Sequence, residues 1–319
     1  LNITYPISII IKTISLYNLG YSLKQVSEKI SKTQGAKIGT STISSWINKY
    51  KNIITYVKLR KQLKKLYNPK NIIFKKKLQH TQVYPFKYHK AKINIIQNLN
   101  KSLSQEIIEK LKNYLEKIST NKFPHHIFNN SLRKNNIGHD TNNKEQQEQR
   151  ISKLKFKTLK FIRLEKNNYA NKLAELALKT ASKNSQRHEI IQNFMLINDT
   201  STIATEVPVY LTNDDIKYFL NKGFNLQLEN RQTPITGHID ILQIRNNFIH
   251  ILDYKPDAST INPTNQLTLY TLALASRLQI PVKLFKVAWF DHKNYFEFFP
   301  LQTVYESQKR FLERLRLNR

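Results

Sequence analysis

The chain has 319 residues, room for two domains, and carries 52 Lys and Arg against 22 Asp and Glu, a formal net charge of +30. It has no cysteine, which excludes disulfides, thiolate zinc sites and cysteine-held iron–sulfur clusters. The charge asks for a polyanionic partner; nucleic acid is the commonest, and an anionic membrane surface is the rival.

The excess sits mainly in the N-terminal half. Residues 1–150 hold 28 basic and 7 acidic side chains, a balance of +21, and residues 151–319 hold 24 and 15, a balance of +9. Heavy use of Ile, Lys and Asn reads as AT-rich coding, which tempers the weight of the charge. The apolar run 9–11 lacks a basic leader and is broken by Lys12. No stretch reaches the roughly 20 apolar residues of a membrane span, and no basic amphipathic helix with an aromatic face stands out. The expectation is an intracellular, cytoplasmic and nucleoid-associated protein with no membrane partner. The first residue is Leu1, which suits a non-standard start or a truncated copy.

Residues 1–60 read as three helices. An apolar periodic segment, 9–19, ends at Gly20, a good C-terminal cap. Ser22 to Gln25 form a capping box for a helix over 23–30. A polar loop of nine residues, 31–39, leads to a third helix over 42–51, capped by Thr40 or Ser41, with Ile43, Trp46 and Ile47 on its apolar face. Its other face shows Thr42, Ser44, Ser45, Asn48 and Lys49. This is the order of a helix-turn-helix, with a positioning helix and then a polar recognition helix for the major groove. The pattern resembles the N-terminal helix-turn-helix of insertion-element transposases and related regulators. The nine-residue loop departs from the usual turn of three or four.

Residues 61–128 read as a basic helical connecting region. Nine Lys and Arg fall within 58–77, interleaved with Tyr67 and Phe74, and Tyr56 lies just before them. Such a mix tracks a phosphate backbone or simply forms a solvated helix face. An amphipathic helix is expected over 103–118. Residues 129–150 are polar and poor in apolar side chains, the best candidate linker. A second domain, 151–319, follows: a helix over 154–182, a helix containing His188, and a strand over 202–211 whose Pro208 argues for an edge or a bulge. A β-hairpin, a helix over 266–278, two strands and a closing basic helix over 305–316 complete it. The fold class is an α-helical N-terminal region plus a C-terminal α/β domain with a mixed central sheet flanked by helices.

The hairpin carries the chemistry. Two apolar runs, 235–244 and 248–255, flank Arg245-Asn246-Asn247, and Asn favours the positive φ of a tight turn. A turn centred on Asn246-Asn247 sets Asp240 opposite Asp253, with Cβ atoms roughly 4.5–5.5 Å apart. Lys255 shares the face of Asp253 by alternation. Like charges directly opposite are destabilising, so a buried carboxylate pair requires a proton, a cation or a metal, and hard oxygen ligands suit Mg²⁺. A surface hairpin with solvated carboxylates is the alternative, disfavoured by apolar residues on both faces.

Glu206, Gly237-x-x-Asp240, Asp253-x-Lys255 and Gln266-x-x-x-Tyr270, in that order, resemble the PD-(D/E)XK nuclease superfamily, most closely its RecB-like branch. His188 matches the helix histidine of that branch. The resemblance covers roughly residues 165–300 and implies a PD-(D/E)XK nuclease domain. It implies that Asp240, Asp253, Glu206, His188 and the Tyr254 carbonyl ligate Mg²⁺ (or Mn²⁺). Lys255 would position the attacking water, while Gln266 and Tyr270 line the site. His238 reads as support. By themselves, His188 also reads as a surface histidine, Glu206 as a solvated carboxylate and Tyr270 as core. The function implied is Mg²⁺-dependent hydrolysis of DNA phosphodiesters, in a mobile-element, defence or repair setting. The partner is single- or double-stranded DNA, and a homodimer is left open. The alternatives are a non-catalytic DNA-binding regulator or a subunit of a recombination complex.

Overall fold

The computed structural model describes residues 5–60, 67–99, 103–129, 150–181, 183–226, 228 and 234–305. Its first three helices are α1 (Ile7–Asn18), α2 (Leu23–Gln34) and α3 (Thr40–Tyr50). Gly20 takes φ +106 just past α1, and the Ser22–Gln25 capping box forms as expected. The connection between α2 and α3 differs from the expectation. Gly35, at φ +66, supplies a left-handed cap one turn beyond Ile30, so α2 runs to Gln34 and the loop has five residues rather than nine. Ile38 anchors that loop in the core. Helix α3 starts behind Gly39 with no side-chain cap. Ile43 and Ile47 are buried; Ser45, Asn48 and Lys49 are exposed, with Thr42 and Ser44 half-buried.

Residues 61–128 are not a helical connection. They supply two antiparallel strands, β1 (Ile73–His80) and β2 (Gln82–His89), then α4 (Lys90–Leu99) and α5 (Gln105–Lys117). Lys75 and Lys77 alternate outward from β1, which forms one edge of the sheet. Lysines on an edge strand discourage pairing with a further strand, so their abundance does not argue for a helix. The expected linker, 129–150, lies outside the described residues except at its ends: Asn129 closes a short 3-10 turn and Arg150 bridges Thr236.

The expected helix over 154–182 shrinks to α6 (Tyr169–Leu178). Before it, Leu154, Phe156 and Phe161 lean on the core from an irregular segment, and β3 (Leu164–Glu165) pairs with the last strand. Then follow α7 (Arg187–Asn198), β4 (Thr202–Leu211), α8 (Asn213–Asn221), β5 (Ile235–Arg245) and β6 (Phe248–Tyr254). The chain continues through α9 (Thr264–Leu278), β7 (Phe285–Phe290), β8 (Tyr295–Phe298) and the short α10 (Leu301–Val304). The expected closing helix over 305–316 falls, but for Tyr305, outside the described residues.

The eight strands form one mixed sheet in the order β1-β2-β4-β5-β6-β7-β8-β3, in which only β6 and β7 run parallel. A parallel neighbour needs a crossover, and α9 provides it. Pro208 sits in β4, an interior strand. Strand β2 pairs only Lys87 with Thr205 and Tyr88 with Ala204, so it has left β4 before Pro208. The Pro208 carbonyl instead accepts from the Tyr114 hydroxyl at 2.7 Å, and the missing N–H on that side costs no ladder bond.

Helix α9 is buried nearly all round and fills one core with β4–β7 and α5. A second core joins α1, α2 and α3 to α6, α7 and residues of β5–β8 such as Ile241, Leu252 and Phe290. Residues 5–60 are thus packed into the body. Buried Asn18 donates to Asn198 at the end of α7 at 2.9 Å, and Arg60 ties the Tyr17 and Tyr21 carbonyls at 2.7 and 2.5 Å. Among the described residues, no helix is long and apolar enough to cross a membrane.

Candidate active site

The β5–β6 turn has Asn246 and Asn247 at φ +48 and +67, as a hairpin turn with two left-handed central residues requires. The register runs from Arg245↔Phe248 to Ile241↔Leu252. The next row holds Asp240 and Asp253, where the ladder opens. On the other side, β4–β5 pairs Thr205 with Ile241 and Val207 with Ile239, which sets Glu206 across from Asp240. Three carboxylates therefore occupy one row across three strands. Glu206 takes φ +52, a strained backbone for a non-glycine residue inside a strand.

Two helices and one strand end complete the site. From β6, Lys255 places its ammonium 2.8 Å from Asp253 Oδ2. From the first turn of α7, His188 Nδ1 lies 3.4 Å from Asp240 Oδ2, its ring edge-on to Tyr254 at 5.0 Å. One turn along, Gln192 donates to Glu206 Oε1 at 2.7 Å. From α9, Gln266 donates to the Tyr270 hydroxyl at 3.1 Å. Tyr270 is buried, only 5% exposed, and its ring lies where a side chain at 237 would be: a Cβ on Gly237 would come within 2.5 Å of Tyr270 Cε1. That close approach explains the glycine.

Sequence reasoning missed Gln192 and Lys87. Gln192 stands four residues from His188, hence on the same helix face, which is the signal that could have found it. Lys87 has no local signal. It comes from β2, lies opposite Thr205 and reaches Glu189 Oε1 at 3.1 Å and Asn193 Oδ1 at 2.7 Å.

Burial, and then the Asp240 charge, push the Glu206 pKa up to about 8. Burial and Asp240 also raise Asp253 well above the ordinary carboxylate range, against the pull of Lys255. Burial opposes the Asp240 charge too, but hydrogen bonds from His188 and Asp253 hold its pKa below the usual value. The two aspartates therefore titrate as a coupled pair, with the proton favoured on Asp253 and the charge on Asp240. Burial lowers Lys255, yet its ion pair with Asp253 wins and raises it.

A hard divalent cation fits these donors, which are oxygen-rich and short of positive charge; Asp253 Oδ1 is buried without a hydrogen-bond partner. The expected ligand set of His188, Glu206, Asp240 and Asp253 shares one neighbourhood. Even so, no three His, Asp or Glu side chains among the described residues form a ready-made metal cage. Mg²⁺ characteristically takes one or two carboxylates and fills the rest of its shell with water and phosphate, so Asp240 and Asp253 suffice.

A cavity of about 200 Å³ opens beside the row, bordered by Glu206, Asp240, Gln266 and Tyr270. Its far wall is aromatic. His238 is bonded to His80 at 2.9 Å, and His80 to His125 at 2.9 Å. Burial, then His125 and Lys76, push His80 down to about 3, so this imidazole is neutral at pH 7.

Comparison of the chain with protein-family models, with curated proteins and with solved structures returns no match.

Proposed function

We propose that the protein is a metal-dependent deoxyribonuclease of the PD-(D/E)XK kind, held on DNA by its N-terminal helices. The observation that carries the reading is the single row of Glu206, Asp240 and Asp253 with Lys255 on the neighbouring oxygen, at the opening of the β5–β6 ladder. Asp240 and Asp253 would hold Mg²⁺ or Mn²⁺, assisted by the Tyr254 carbonyl, Glu206 and His188. Such an ion, when bound, polarises a phosphate and lowers the pKa of water.

The chain's own residues supply the remainder. Lys255 holds Asp253 in place and offers an ammonium to the attacking water and to negative charge on the phosphate. His188 and Gln192 fix the orientations of Asp240 and Glu206. Gln266 fixes the Tyr270 hydroxyl at the cavity wall. On α3, exposed Ser45, Asn48 and Lys49, with half-buried Thr42 and Ser44, would meet DNA.

The test is cleavage of plasmid and single-stranded DNA with Mg²⁺ or Mn²⁺. Wild type should cleave and Asp253→Asn should not; equal cleavage by both would place the activity elsewhere. Binding without metal-dependent cleavage would leave a DNA-binding regulator or a recombination-complex subunit.

A further inference from the structure

The cavity beside the carboxylates is small. Pockets that enclose whole drug-sized ligands run to about 300–1,000 Å³, and this one is about 200 Å³. That is room on the scale of a single nucleotide rather than a base pair. Its wall is two stacked pairs: Tyr84 on His238, with ring centroids 3.5 Å apart and 9° between planes, and Phe128 on His80, at 4.1 Å and 14°. The bond between His80 and His238 joins the pairs into one rigid aromatic wall. Flat rings beside a polar floor are what single-stranded binders use, because every base has a π-face. A base paired inside a duplex cannot reach such a niche without leaving the stack. Strand β1 leads to the wall and turns at Thr81.

We infer that this cavity is a single-nucleotide subsite, taking one unpaired base next to the phosphate to be cut. The substrate class is therefore single strands, overhangs and frayed ends, in preference to intact duplex. This rests on the nuclease reading above. It places the β1–β2 hairpin in the substrate site, with the aromatic wall taking the base.

The experiment uses the full chain with Asp253→Asn, whose changed residue does not border the cavity. The probes are a short DNA oligonucleotide carrying one 2-aminopurine, single-stranded and as a blunt duplex, at several salt concentrations. The single strand should be quenched on binding and held about tenfold more tightly than the duplex. Tyr84→Ala should lose the quench and weaken single-strand binding about tenfold. Tyr84→Leu keeps an apolar side chain against His238 and should show the same loss if the larger truncation unfolds. Equal binding of duplex, or an unchanged quench in both Tyr84 variants, overturns the subsite. A parallel cleavage arm separates the two readings. Wild type that cuts duplex and single strand equally, with no quench, ends the subsite and keeps the nuclease. A quench with no metal-dependent cutting does the reverse.

Discussion

A buried glutamate and a half-buried one in this sheet have opposite surroundings. Glu297 on β8 is 1% exposed and meets the ammonium groups of Lys166 and Lys286 at 2.6 and 2.5 Å. Burial would raise its pKa, but the two lysines hold it below the usual value. Glu206 on β4 has an amide, from Gln192, where Glu297 has two lysines, and its pKa rises to about 8. Charge burial is expensive unless compensated, so the first cluster is complete within the fold and the second is short of a cation. The shortage sits on a strained backbone, beside a second carboxylate whose pKa is also raised. A region that folding leaves uncompensated is where a ligand is expected to complete it.

Exchanging key groups at the two sites sharpens that contrast. The largest effect is on activity: Asp253→Asn or Lys255→Ala should lower metal-dependent cleavage on the order of 100-fold or more, measured on single-stranded DNA. Glu297→Gln should leave cleavage nearly intact but cost about 2–3 kcal/mol of stability in denaturant melts, because two lysines lose their shared partner. Equal activity losses at both sites would erase the distinction.

Next comes Gly237→Ala. Its methyl would strike the Tyr270 ring, so stability should fall by about 1–3 kcal/mol and cleavage should fall with it. Tyr270→Leu in the same chain should recover stability without recovering activity.

The pH dependence follows from Glu206. Its folded pKa, about 8, stands above the ordinary 4.5. Below pH 4.5 both states hold the proton and the group has no effect. Between 4.5 and 8 the unfolded chain gives up a proton that the fold keeps, so stability of the metal-free protein falls with rising pH. Glu206→Gln removes that loss, and should melt like wild type near pH 4.5 but be more stable near pH 8.5 by on the order of 2 kcal/mol. The same protons compete with a metal, so stabilisation by Mg²⁺ should grow from pH 6 to 9 in wild type and shrink in Asp253→Asn. A pH-independent effect of Mg²⁺ would break the link between the buried protons and the cation. The smallest effect is at α3: Lys49→Ala should weaken DNA binding a few-fold and reduce the salt slope by about one ion, with cleavage of short single strands unchanged.

Much of the site could be read from local chemistry, because the signals are short in range. Two asparagines force the turn, the turn sets the register, and the register brings Asp240 and Asp253 together. Gln266 and Tyr270 meet because residues four apart share a helix face. The strand bounds of β4 and the caps at Ser22 and Gly20 were equally legible. Less was legible where a residue's role depends on a distant neighbour. The lysines of β1 look alike on a helix or on a sheet edge until β2 pairs with them. The segment before α6 has apolar residues at spacings a helix would use, yet it spends them one by one on the core.

By itself the sequence determined the chain's strong positive charge, the exclusion of cysteine chemistry, the hairpin and the spacing of its carboxylates, since these follow from composition and from backbone preferences over a few residues. Only the tertiary structure decided that residues 5–60 share a core with the sheet, that Lys87 and Gln192 stand beside the carboxylates, and that aromatic rings from β1, β2, β5 and the 125–129 turn close one side of the cavity. Those facts depend on which surfaces meet across gaps of 14 residues to well over a hundred, and burial is settled by packing of the whole chain rather than by any local pattern.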